Sequence, residues 1–64
     1  TRGCRIYDSS GSLVAKLKEN SFFRFEWDGK NRAGTYCASG VYFFVIATED
    51  KEVGRGKIML IRKD

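Results

Sequence analysis

The sequence contains no histidine and no proline, and only two of its 64 residues are cysteine. Each shortage excludes something. Without histidine, a Ser or Cys nucleophile lacks its usual general base, and a zinc site is left short of ligands. Without proline, the seven glycines are the main punctuation of the chain. Long apolar runs are missing too: no uncharged stretch approaches the ~18 residues of a membrane-spanning helix. Residues 1 to 8 have no apolar core behind a basic start, so no signal peptide is read there. Charge of one sign is never concentrated. Twelve Lys and Arg against eight Asp and Glu leave +4. The longest basic cluster, Arg62-Lys63, runs straight into Asp64, whereas nucleic-acid binding calls for a basic stripe or groove.

What is present points to a small folded β-module. With 42% hydrophobic and 31% charged residues, the composition is that of a globular domain rather than a disordered one. A chain of this length buries only about 60% of its unfolded surface, so a β-fold of this size draws help from a disulfide, a metal or a partner chain. Cys4 and Cys37 permit one intrachain bridge, and their spacing is not that of a CxxC site. Cys4 alternates in phase with Ile6, which fits a small buried side chain. A Cys4–Cys37 disulfide fits an extracytoplasmic setting instead. Both readings stay open.

Period-two alternation organises the chain into five predicted strands. Residues 3–8 place Cys4 and Ile6 on one face and Arg5 and Tyr7 on the other. Residues 13–18 alternate again after a Ser-Gly turn, and residues 22–27 set Phe23, Phe25 and Trp27 against Arg24 and Glu26. Residues 40–49 are apolar on both faces, with Tyr42, Phe44 and Ile46 opposite Val41, Phe43 and Val45. Such a strand is either central or awaits a partner. After a hairpin tip at Asp50-Lys51, residues 52–63 return as the last strand, with Ile58 and Leu60 on its inner side. Gly54 and Gly56 there predict a bulge or a close approach of backbone. The predicted core is Ile6, Phe23, Phe25, Phe44, Ile46, Ile58 and Leu60, with Trp27 and Tyr42.

Between the third and fourth predicted strands lies WDGKNRAGTYCASGVY, an aromatic anchor, a polar double turn and a glycine-led strand. This is a β-arch, in which Asp28, Gly29, Gly34 and Gly40 serve turns, as Asp8 and Gly11 do at the earlier Ser-Gly turn. Trp27 has two readings, a stacking platform for a sugar or base and a core residue in phase with Phe25; the second accounts for more of the pattern. Asp28 and Asn31 supply oxygen for a cation, but Lys30 and Arg32 interrupt the loop, and Asx-turn bonding explains both residues. Glu26 and Asp28 straddle a turn with no cleft implied between them. No catalytic residue, metal ligand or cofactor site is read from this sequence.

The ordered set Ile6-Tyr7-Asp8, Gly11, Trp27-Asp28-Gly29, Gly34, Ser39-Gly40-Val41-Tyr42-Phe43 and Lys57-Ile58-Met59-Leu60 resembles a known family pattern. It is similar to the immunoglobulin-like C-terminal module of the flagellar hook-capping protein FlgD. It equally resembles the C-terminal sorting domains of bacterial type IX secretion cargo. The resemblance spans nearly the whole chain, residues 1–64, as one module at the tail of a longer protein. It implies an all-β, immunoglobulin-like sandwich on a secreted or cell-surface bacterial protein, with no catalysis and a role in export, sorting or anchoring. Family members carry one or two strands ahead of the IYD strand. The expectation is therefore a sandwich short of its first strands, completed by the rest of its own polypeptide or by neighbouring copies through β-augmentation. Secretion machinery is an expected partner; nucleic acid and a membrane span are not. Two alternatives are a structural subunit of an extracellular filament built by strand complementation, and a carbohydrate- or nucleic-acid-binding module.

Overall fold

The computed structural model describes residues 2–22 and 24–61. Among these residues there is no helix. Four strands, β1 Gly3–Tyr7, β2 Leu13–Lys18, β3 Gly40–Ala47 and β4 Glu52–Leu60, make one antiparallel sheet in the order β2-β1-β3-β4. The fold is all-β.

Alternation in the sequence becomes facing in the sheet, because successive side chains of a strand point to opposite sides. On one face Cys4 stands between Leu17 and Ile46, Ile6 between Ala15 and Phe44, and Tyr42 opposite Ile58. Cys4, Ile6, Ala15 and Tyr42 are buried there, with Ile6 fully so, while Phe44, Ile46, Ile58 and Leu60 are half-buried around them. The other face carries Arg5 opposite Lys16 and Val45, Phe43 opposite Lys57, and Val41 opposite Met59. Val41 and Phe43 are exposed on it.

Turn chemistry fixes the connections. The Asp8 carboxylate accepts hydrogen bonds from the Ser10 and Ser12 amides at 2.9 and 3.0 Å and from the Ser10 hydroxyl at 2.6 Å. Gly11 completes this turn at φ 88°, a left-handed conformation that costs glycine little. Asn31 builds the same device with an amide oxygen, accepting from the Ala33 and Thr35 amides, with Gly34 in the place of Gly11. Asn20 does so a third time, accepting from the Phe22 and Arg24 amides. Thr48 closes the β3–β4 tip by bonding to Lys51 through its amide and hydroxyl.

The third predicted strand, residues 22–27, is corrected: the described part of this segment joins no ladder, so the sheet has four strands rather than five. Arg24 and Glu26 are exposed while Phe25 and Trp27 pack against the core cluster. The alternation is real, but it comes from packing over the sheet, and the backbone bonding recorded for Arg24 is local, to Asn20. Phe23, like Arg62 and Lys63 of the predicted last strand, lies outside the described residues. Both expectations for the β4 glycines appear on the molecule. A register shift between Ile46 and Ala47 leaves a bulge opposite, between Glu52 and Gly54. Gly56 lies under the Phe44 ring, where a Cβ would fall 2.7 Å from two ring carbons.

Candidate functional site

The arch that crosses the core face, residues 24–39, is pinned by two amphipathic rings. Trp27 donates its indole N–H to the Lys30 carbonyl at 2.9 Å, and Tyr42 donates its hydroxyl to the Ala38 carbonyl at 2.6 Å. The two rings meet edge to face with centroids 5.2 Å apart. Each therefore buries its body and satisfies its polar end, as aromatics inside proteins must. Gly29, buried at φ 80°, accepts the Cys37 amide at 2.7 Å, and Lys30 bridges to Tyr36, so residues 29–37 form a small loop capped by the Asn31 turn. Asp28 accepts the Lys30 amide at 2.9 Å.

These contacts occupy the residues singled out by sequence. Trp27 and Tyr42 meet edge to face inside the arch, and half-buried Trp27 also lines the open groove on the core face. Asp28 gives one carboxylate oxygen to the Lys30 amide, and Asn31 gives its amide oxygen to the Ala33 and Thr35 amides. Cys4 is buried and Cys37 packs at the edge of the same cluster; the structure records both as thiols rather than as a disulfide. Burial pushes the Cys4 thiol pKa up, which keeps it protonated and inert. Burial also raises the Tyr42 phenol, helped by neighbouring Cys37 and Asp8. Asp8 is lowered, first by the Ser10 hydroxyl and then by the backbone amides it caps. Among the described residues no group of His, Cys, Asp or Glu side chains is placed to hold a metal ion.

What remains open is surface. The arch covers the sheet incompletely, leaving an apolar groove of about 270 Å³ on the core face, lined in part by Leu17, Phe25, Phe44, Ile46 and Ile58. On the opposite face, Lys16, Arg5, Val45 and Arg55 stand in one row across all four strands. Arg55 is held by both carboxylate oxygens of Glu52 at 2.7 Å. No ion pair of Arg5 or Lys16 is formed among the described residues. Sequence reading missed this row, since only the register brings Arg5 and Lys16 side by side.

No curated protein and no solved structure matches the chain. The model of the CHU_C type IX secretion signal domain matches residues 2–60, which takes in all four strands and the arch. The chain belongs to the CHU_C type IX secretion signal domain family, and is thus a sorting module of a secreted protein found outside the cell or attached to its surface.

Proposed function

We propose that this module is a non-catalytic handle by which a bacterial secretion machine recognises, exports and anchors its cargo. In this reading it is an immunoglobulin-like sandwich whose second layer is completed by polypeptide outside the four-stranded sheet, either the rest of its own protein or a neighbouring copy. The observation that carries the reading is the half-covered core face. Phe44, Ile46 and Ile58 belong by pattern to a core, yet they border an open groove of about 270 Å³. An exposed apolar patch of this kind marks a surface that another polypeptide covers. The family match supplies the cargo-sorting role.

The test is a fusion of the chain to a folded passenger, expressed in a bacterium that has type IX secretion and in a strain lacking it. The passenger should reach the medium or cell surface only in the first. Retention of a folded fusion inside both strains would overturn the export role. Charged substitutions at Phe44 or Ile58 that left export intact would overturn the proposed covering of the groove.

A further inference from the structure

β2 is an edge strand, and Lys16 and Lys18 lie on it with Arg5 directly across the ladder from Lys16. Leu13–Lys18 makes no backbone hydrogen bond outside its ladder with β1 among the described residues, so alternate N–H and C=O groups point outward, ready to pair. Three successive open clefts follow this strand. The first, about 480 Å³, lies between Leu13-Val14 and Asn31–Ala33 of the arch. The second, about 360 Å³, separates Ala15–Leu17 from Trp27 and Lys30–Arg32. The third, about 400 Å³, surrounds Lys16–Lys18 and reaches Arg5 and Gly3. Neighbouring clefts share Asn31 and Arg32, then Lys16 and Leu17, so the trough beside β2 runs along both faces of the sheet: the first two clefts lie on the side of the arch, and the third lies on the basic face and spreads over β1 and β3.

The walls of the trough carry Arg5, Lys16, Lys18, Lys30 and Arg32, and none of them makes an ion pair among the described residues. The carboxylates at its borders are Glu19, held by Arg2; Asp28, which caps the Lys30 amide; and Glu49. Arg5 and Lys16 sit directly opposite each other in the β1–β2 ladder, a like-charge pairing that works against the sheet. A bound anion at that point would reverse its sign. On the inner side of β2, half-buried Leu17 borders the groove, and buried Ala15 forms part of the wall of the second cleft.

These features specify an occupant. We infer that the free edge of β2 docks an extended polypeptide segment in which acidic side chains alternate with apolar ones. The segment adds as a strand, its carboxylates facing Lys16, Lys18 and Arg5 and its apolar side chains facing Ala15 and Leu17. The other edge, β4, fits this partner less well. Each edge carries one bulge, at Val14 in β2 and at Val53 in β4, so the difference lies in the side chains: Arg55 is already neutralised by Glu52, and Gly54 and Gly56 offer no side chain to a neighbour. The inference stands apart from the export reading, since it concerns what this edge binds in whichever protein carries the module.

The test is a titration of the isotope-labelled full chain with a nine-residue peptide that alternates Glu or Asp with Val, followed by amide shifts and hydrogen exchange. Amides of Val14 to Lys18 should shift and gain protection, and raising the salt to 0.5 M should weaken binding on the order of tenfold. The double substitution Lys16→Glu, Lys18→Glu should abolish binding of this peptide and create binding of its lysine-for-acid counterpart. That reversal separates a lost site from a lost fold. Protection at β4 amides, shifts on the basic face with no protection along β2, or a dimer formed through β2 without peptide would each overturn the inference. So would equal competition by phosphatidylglycerol vesicles or by a DNA duplex, which would make the trough a general anion surface.

Discussion

Gly56 and Gly54 are two residues apart on β4 and both border the core face, but only Gly56 lies under an aromatic ring. An ideal Cβ at Gly56 would fall 2.7 Å from Cε2 and Cζ of Phe44, against roughly 3.5–4.0 Å for an ordinary carbon contact. Gly56→Ala therefore forces the ring back by about 1 Å, off β4 and toward the Ile6 side chain that flanks Phe44 on its other side. Overpacking of this kind costs about 1–3 kcal/mol, and replacing a strand glycine returns about 0.5–1 kcal/mol. The net destabilisation is about 0–2.5 kcal/mol, centred on ~1.3 kcal/mol, a fall in melting temperature of roughly 5–10 °C for a domain of this size. At Gly54 nothing lies within 4 Å of the same Cβ, so Gly54→Ala should leave the midpoint unchanged or raise it. Thermal melts followed by circular dichroism read both. In a Phe44→Leu background the Gly56→Ala penalty should vanish, a coupling that only direct contact produces. Equal effects at the two glycines, or a Gly56→Ala penalty undiminished by Phe44→Leu, would refute the reasoning.

Three more outcomes follow from the turns, the arch and the basic row. Asp8 has a folded-state pKa below its unfolded value, so its contribution is fully present above the ordinary carboxylate range and is lost as pH falls through the folded value. Asp8→Asn, which keeps the acceptor oxygen that Asn31 uses in the same turn, should flatten the melting temperature between pH 6 and pH 3 without unfolding the chain. Tyr42→Phe removes the hydroxyl that reaches the Ala38 carbonyl and should lower stability by about 0.5–1.5 kcal/mol, measured by urea unfolding. Lys16→Glu converts a like-charge pair with Arg5 into an opposite-charge one, so the melting temperature of the free chain should rise, most clearly at low salt.

Much of this fold can be read from the residues, and the unread part has a common cause. Leu13–Lys18 falls where alternation placed it, because both ends are marked by turns and one face is plainly apolar. Gly40–Ala47 is central in the sheet, in keeping with its two apolar faces. The segment 22–27 shows the limit. Alternation reports which side of an extended chain is dry, and Phe25 and Trp27 are on the dry side, but it does not report whether the backbone has a ladder partner. The turns at Asp8, Asn20 and Asn31 share one spacing, acceptor to amides two and four residues on, which local sequence displays. The basic row of Arg5 and Lys16 is different in kind, since it exists only once β1 and β2 are in register.

The strand order β2-β1-β3-β4 also sets how the chain reaches its shape. β1–β2 and β3–β4 are hairpins closed by short turns, while the seam between them pairs Gly3 with Ala47 and Tyr7 with Phe43 across the whole arch. Local hairpins form quickly, whereas a contact between such distant residues must first overcome loop closure. Ile6 and Tyr42 are exposed until that seam shuts. Until it shuts, each hairpin has an unpaired edge strand, and the arch, by setting the length of the loop, sets the entropic cost of bringing the two together.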